Sequence, residues 1–425
     1  MINRTLKIFL VTALMIVLML SPAFADRLLI PMDHLQNNHL KAYGIAYWCL
    51  DQGIKVDWLL NYRAGSFLTT NRQEIADLCL LRGVTFQTLS EAEADEIYRT
   101  IEVENMEVIL LEKPPEVAIY TPPNKEPWDD AVTLALTYAE IPYKTLWDEE
   151  VLEGKLEDYD WLHLHHEDFT GQYGKFYGAY HNAEWYKQEQ ATNEIAARAL
   201  GFRKVPQMKL AVAKTIKDYV YRGGFLFAMC SAPETMDIAL AAENTDIVPR
   251  EYDNDPIDPD CLKKLRYENC LAFENFTVSL NPLEYRHSDI DTYPERSNYI
   301  RNQDMDYFRL FDFSAKLDPV PTMLVQCHLG KIKGFMGQST AFRKSLLKSH
   351  VTILAEVEGF DEARYVHGNY GRGTFTFLSG HDPEDYTHLV GDPPTDLELH
   401  KNSPGYRLIL NNILFPAAKK KERKT

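Results

Sequence analysis

Between residues 223 and 243 an apolar run, Phe225-Leu226-Phe227-Ala228-Met229, stops at Cys230. Within a few residues it gives way to a helical spacing of Met236, Ile238, Ala239 and Ala242 behind Pro233. A short continuous apolar run reads as a buried strand, and the 3.6-residue period after it as a helix, so Cys230 falls on a strand-to-helix turn. Such turns display nucleophiles when small residues flank them, here Ala228 and Ala232, and a following helix N-terminus favours a thiolate. The competing reading is a packed core cysteine, since free Cys is among the most buried residue types.

Around this junction strands and helices alternate. Strands are expected at 27–32, 55–61, 84–89 and 108–111, with helices at 40–52, 72–82 and 91–101 between them. After Lys113-Pro114-Pro115 a second series begins, with strands at 117–121, 143–147, 160–165 and 225–229 and helices at 128–139, 191–200 and 208–221. Strands at 351–358, 363–366 and 373–379 and a helix at 406–415 close the chain. Alternation of this kind predicts an α/β fold with two flavodoxin- or Rossmann-like parallel-sheet halves. The expected divisions are an N-terminal α/β domain at 26–112 and a second at 113–418, interrupted by an aperiodic insertion at about 244–350. The insertion reads as a cap beside the site or as structural elaboration.

Residues 1–25 read as a secretory signal peptide: Arg4 and Lys7, an apolar stretch from Ile8 to Leu20, and Ala23-Phe24-Ala25 as a cleavage site. An exported, periplasmic or secreted protein without a membrane span after cleavage is expected. The net charge of −17 argues against nucleic acid as a partner, and the basic tail at 419–425 is too short to reverse that. Cys261 and Cys270 could close a short disulfide loop in an oxidising compartment, but the six cysteines show no disulfide framework.

Open parallel sheets bind ligands at the carboxyl ends of their strands. His381 follows the expected strand 373–379 as Cys230 follows its own, so both fall at one edge. His381 suits a base for the thiol, and Glu384 suits a group that orients it. His163, His165, His166, Glu167 and Asp168 crowd the end of the strand at 160–165. They read as hydrogen-bonding groups for a polar substrate, as a divalent-metal set built from His165, His166 and Asp168, or as a solvated strand end. Trp161, Tyr173, Phe176, Tyr177 and Tyr180 would suit a sugar or peptide face, or helix packing. Gly368, Gly371 and Gly373 lie between strands and do not form a dinucleotide loop. No cofactor is expected.

The Ala228-Met229-Cys230-Ser231-Ala232 turn and the later Ser379-Gly380-His381-Asp382-Pro383-Glu384 resemble the class I glutamine amidotransferase-like fold, whose motifs are Gly-x-Cys-x-Gly and His-Pro-Glu. The resemblance implies Cys230 as nucleophile, His381 as base and Glu384 as its orienting acid, acting on an amide or related carbonyl. Alanines stand for the two elbow glycines, and Asp382 widens the His-to-Glu spacing. The whole chain, through Lys41 to Trp48 and Leu162 to Asp168, also resembles an exported bacterial family often catalogued as asparagine synthetase B. Cleavage would leave Asp26 rather than a cysteine at the N-terminus, and no Ser-Gly-Gly-x-Asp-Ser loop is present, so ATP-dependent amide transfer is not expected. Two functions therefore stand side by side: a Cys-dependent hydrolase or amidotransferase-like enzyme, and a non-catalytic module binding a small-molecule, glycan or peptide ligand of the envelope.

Overall fold

The computed structural model describes residues 26–122, 130–292, 305–335, 337–386 and 392–419. The expected signal peptide and all but the first residue of the basic tail lie outside the described residues. The chain is an α/β protein built on two sheets. The first contains β1 (Arg27–Ile30), β2 (Val56–Leu60), β3 (Ser66–Thr70), β4 (Gln87–Leu89) and β5 (Glu107–Leu111), in the order β4-β1-β3-β2-β5. Helices α1 (His39–Asp51), α2 (Gln73–Arg82) and α3 (Glu91–Val103) alternate with its strands much as the periodicity predicts.

Strand direction in this first sheet differs from the expected parallel arrangement. β1 and β2 run the same way, as a helical crossover requires, but β3 lies between them and pairs antiparallel with both. The other two pairings, β1–β4 and β2–β5, are antiparallel as well. The cause is a tight reversal at 61–65, where Asn61, Arg63, Ala64 and Gly65 all take positive φ and return the chain along β2. Both faces are covered. Leu28, Ile30, Trp58 and Leu60 join the main core with α1, while Leu29, Leu59 and Leu68 pack on Ile97 and Ile101 of α3.

The second sheet carries the site. Its strands are β6 (Val117–Tyr120), β7 (Lys144–Leu146), β8 (Trp161–Leu164), β9 (Phe225–Met229), β10 (Tyr307–Leu310), β11 (Lys331–Lys333), β12 (Phe342–Arg343), β13 (Thr352–Glu356), β14 (Glu362–Tyr370) and β15 (Gly373–Leu378). The main path is β11-β10-β13-β14-β15-β9-β8-β6-β7, with β12 paired to β14. The run β15-β9-β8-β6-β7 is parallel, and the remaining pairs are antiparallel. The 244–350 insertion thus contributes β10, β11 and β12 to the sheet.

Helices α4 (Ala131–Ala139), α5 (Asp148–Leu152), α6 (Glu184–Ala199), α7 (Val205–Arg222), α8 (Ala232–Ala241) and α9 (Pro404–Leu414) complete the fold. Side chains alternate across each parallel strand. Phe227 and Met229 of β9 face the core shared with α4, α9 and the first sheet, whereas Leu226 and Ala228 face α7 and α8. The expected loop between Cys261 and Cys270 is not closed: all six cysteines are free thiols, and Cys270 Sγ donates to the Asp237 carbonyl at 3.2 Å. Among the described residues no helix is long and apolar enough to cross a membrane.

Candidate functional site

Register brings the strand ends together. Leu378 of β15 lies beside Met229 of β9, and Ala228 beside Leu164 of β8, so the residues that follow each strand meet at one edge. Cys230 takes φ 55°, a left-handed conformation that costs a non-glycine residue free energy, as expected of a sharp strand-to-helix turn. Its N–H donates to the Leu378 and Gly380 carbonyls at 3.2 and 3.1 Å. Ala228 and Ala232 are fully buried beside it.

The thiol is sealed rather than displayed. Cys230 is 1 % exposed, and its Sγ accepts the Gln338 N–H at 3.3 Å from the insertion. A Cβ on Gly337 would lie 3.2 Å from that sulfur and 2.7 Å from Gly380 Cα, so glycine is what lets this segment close over the turn. Burial pushes the Cys230 thiol up, against the backbone amides of Ser339, Gln338 and Ser231.

His381 and Glu384 reach the same edge with different neighbours. The His381 ring lies 5.0 Å from that of His165 and 6.0 Å from that of His166. The Glu384 carboxylate pairs with His400 at 3.3 Å. Asp382, the extra residue of the motif, is buried and accepts the Glu384 and Asp385 amides at 3.0 and 2.9 Å, which shapes the turn between them.

The end of β8 is more telling. His163 Nδ1 lies 3.1 Å from the Phe227 carbonyl, which can only accept, so this nitrogen carries the proton. His163 Nε2 then faces Asp130 Oδ1 at 3.4 Å, and His165 Nδ1 lies 3.0 Å from the same oxygen. These distances suit ion pairs, and by strict hydrogen-bond geometry His163 Nε2 and both ring nitrogens of His165 are buried without a partner among the described residues. Asp130 also caps α4 by accepting the Val132 N–H at 2.8 Å. Burial opposes its ionisation, but the two imidazoles outweigh this and hold its carboxyl well below the usual range.

Asp130 escaped the sequence reading because it falls inside the helix expected at 128–139, whereas the helix starts at Ala131, and only the pairing of β6 with β8 brings it to the histidines. Of the expected set of His165, His166 and Asp168, only His165 belongs to the group whose donor atoms converge among the described residues, with Asp130 and His163. Asp168 accepts the Thr170, Gln172 and Gly174 amides at 2.7, 3.1 and 2.8 Å and faces His287 Nε2 at 3.4 Å, so its carboxylate is occupied by its own loop and the insertion. The His166 ring lies beside that of His165, at 4.2 Å.

A cavity of about 510 Å³ opens at the ends of β6, β7 and β8. Tyr120, Trp147, Tyr173 and Phe176 supply aromatic walls, while Asp130, Glu167, Asp168 and Glu189 supply carboxyls. His165 and His166 line it, His163 lies beneath, and neither Cys230 nor His381 is part of its lining. Of the expected aromatic face, Tyr173 and Phe176 reach the cavity, whereas Trp161 is core. Burial pushes Glu167 up to about 8 and Glu189 to about 7. The lining cation Lys209 is already committed: it lies 2.9 Å from Asp148 Oδ2, 3.1 Å from Tyr120 OH and 3.9 Å from the Trp147 ring centroid. Besides the nitrogens of His165, Trp147 Nε1 and Asn193 Oδ1 on lining residues are buried with no hydrogen-bond partner among the described residues.

No protein-family profile and no curated protein matches the chain. Among solved structures it is similar to the cytoplasmic protein STM3548 of Salmonella typhimurium, at 11% identity over 72% of this chain and 100% of that one, with a TM-score of 0.36. It is also similar to the cytoplasmic protein STM1381 of Salmonella typhimurium LT2, at 10% identity over the same shares, with a TM-score of 0.35. Gan42B, a GH42 beta-galactosidase, matches at 12% identity over 64% of this chain and 28% of its own, with a TM-score of 0.26. Likeness at these scores assigns neither fold family nor function.

Proposed function

We propose that the chain binds a neutral, polyhydroxylated ligand of the saccharide class in the cavity at the carboxyl edge of the parallel sheet. The observation that carries this reading is the pair of unpartnered polar atoms, Trp147 Nε1 and Asn193 Oδ1, on residues that also line an aromatic-walled cavity. Buried polar groups are normally satisfied, and a hydroxyl-rich ligand would supply an acceptor to the indole and a donor to the amide. Aromatic faces suit the C–H surfaces of a sugar ring. The electrostatics disfavour anions, because the Asp130 and Asp168 carboxyls are held ionised and the single lining lysine already has its partner. Calorimetry with glucose, N-acetylglucosamine and cellobiose, in the presence of a chelator, tests it. Binding of at least one sugar should weaken by roughly tenfold in Asn193→Ala, about one hydrogen bond's worth. Absence of binding by all three sinks the reading.

A second reading, Cys-dependent hydrolysis of an amide or related carbonyl, is favoured by the positive φ of Cys230 and by the gathering of Cys230 and His381 at one edge. It requires the segment around Gln338 to withdraw from the sulfur. Iodoacetamide should then label Cys230 in the native protein, more slowly in His381→Ala. A native thiol that resists labelling would count against it.

A further inference from the structure

We propose that Asp130, His163 and His165 form a site for one divalent transition-metal ion of the zinc class at the floor of the cavity. The bland alternative is a buried histidine–aspartate ion pair. His163 Nε2 and both nitrogens of His165 make no hydrogen bond of good geometry among the described residues, although both residues are more than nine-tenths buried. The Phe227 carbonyl accepts from His163 Nδ1, which leaves Nε2 as the nitrogen that faces Asp130 Oδ1.

The spacing fits an ion. The three donor atoms lie within 4.8 Å of one another, with separations of 3.4 and 3.0 Å from the carboxylate oxygen to the two imidazoles. Donors about 2.0–2.2 Å from a tetrahedral ion lie about 3.4 Å apart. Hydrogen bonds of the right kind already hold two of the ligands. His163 donates its other nitrogen to a backbone carbonyl, as metal-bound imidazoles commonly do, and Asp130 is oriented by the Val132 amide. Two imidazoles and one carboxylate favour zinc-class ions over magnesium or calcium. Asp130 and His165 both line the cavity, so a fourth position would open toward its contents.

This inference does not depend on what fills the cavity. Full-length protein stripped with a chelator and titrated with Zn²⁺ should take up one equivalent in calorimetry. With Co²⁺ it should give the strong visible absorption of a tetrahedral centre. Asp130→Asn and His165→Gln should each weaken Zn²⁺ binding by roughly 100-fold, whereas His181→Ala, an exposed histidine elsewhere, should leave it unchanged. No stoichiometric uptake by the wild type, only weak octahedral cobalt absorption, or unchanged affinity in Asp130→Asn would overturn the site. Should His165→Gln fail to fold, Asp130→Asn and the wild-type cobalt spectrum still decide. Sugar binding, measured under chelator and through Asn193, fails or succeeds separately.

Discussion

At the residue scale, Asp168 organises the rim of the cavity. Besides three backbone amides it accepts the Thr170 hydroxyl at 2.5 Å, and the loop it gathers holds Tyr173, Gly174 and Lys175 at positive φ. Burial disfavours its charge, but His287, Thr170 and the Gly174 amide together outweigh burial and hold the carboxyl down at about 2. A folded-state pKa below the ordinary value of 3.8 means that the ionised group stabilises the fold at neutral pH. That contribution is fully present above the unfolded value and is lost as pH falls through the folded one. We expect Asp168→Asn to cost about 2 kcal/mol at pH 7, with the gap to wild type constant above about pH 5 and closing toward about pH 2. Urea titrations across pH check this, and a pH-independent gap would refute the assignment. The sequence showed Asp168 as one of a polar cluster, and the residue types at this edge were legible. Their division of labour was not, because a carboxylate that ties its own loop and one that faces histidines on a neighbouring strand look alike in one dimension.

At the element scale, the close crossing of α1 over α4 depends on Gly44. A Cβ there would sit 1.8 Å from the Ala139 carbonyl oxygen, which belongs to the backbone of α4 and cannot swing aside. In an isolated helix Gly→Ala gains about 1 kcal/mol. Overpacking a fixed core contact costs about 1–3 kcal/mol, and the depth of this overlap places it at the upper end. Gly44→Ala should therefore be net destabilising by about 2 kcal/mol, visible as a lowered midpoint in thermal or urea unfolding; a raised midpoint would show that α1 shifts freely. The helices and the parallel strands were legible because each carries a long apolar period, as in α7 and β9. β3 was not, since Ser66–Thr70 mixes polar with apolar residues and its reversal uses Asn61, Arg63 and Ala64 in left-handed backbone without the usual Asn-Gly signal. The insertion lacks a period for a related reason. β10, β11 and β12 are two to four residues long, and the irregular stretch before them is held by buried carboxylates such as Asp237, which accepts the Leu271, Ala272 and Phe273 amides at 2.7, 2.8 and 2.9 Å.

At the scale of the whole molecule, one core joins the two sheets: Trp58 and Tyr43 of the first half share it with Leu136, Phe227 and Leu410 of the second. α9 closes it. Every residue from Gly405 to Leu414 is buried, so the helix has no solvent face, and its one cation, Arg407, must find its partners inside. It donates to the Met32 carbonyl at 2.8 Å, to Tyr43 OH at 3.1 Å, to the Ala64 carbonyl, and to His328 Nδ1 at 3.3 Å. Burial, with help from neighbouring cationic groups, pushes His328 down to about 3, so at neutral pH its ring is uncharged and can accept. Three of these four acceptors belong to the first half, and the guanidinium fork spans the seam between the halves. Arg407→Met would keep much of the volume but leave those acceptors buried and unsatisfied, at a cost of roughly 3–5 kcal/mol. Because the core is continuous, the loss should fall on both halves together. Native-state hydrogen exchange should show amides of β2 and β9 opening at one common free energy, lowered equally by Arg407→Met. If β2 alone loses protection, the first sheet unfolds by itself and the seam at Arg407 does not bind the molecule into one cooperative unit.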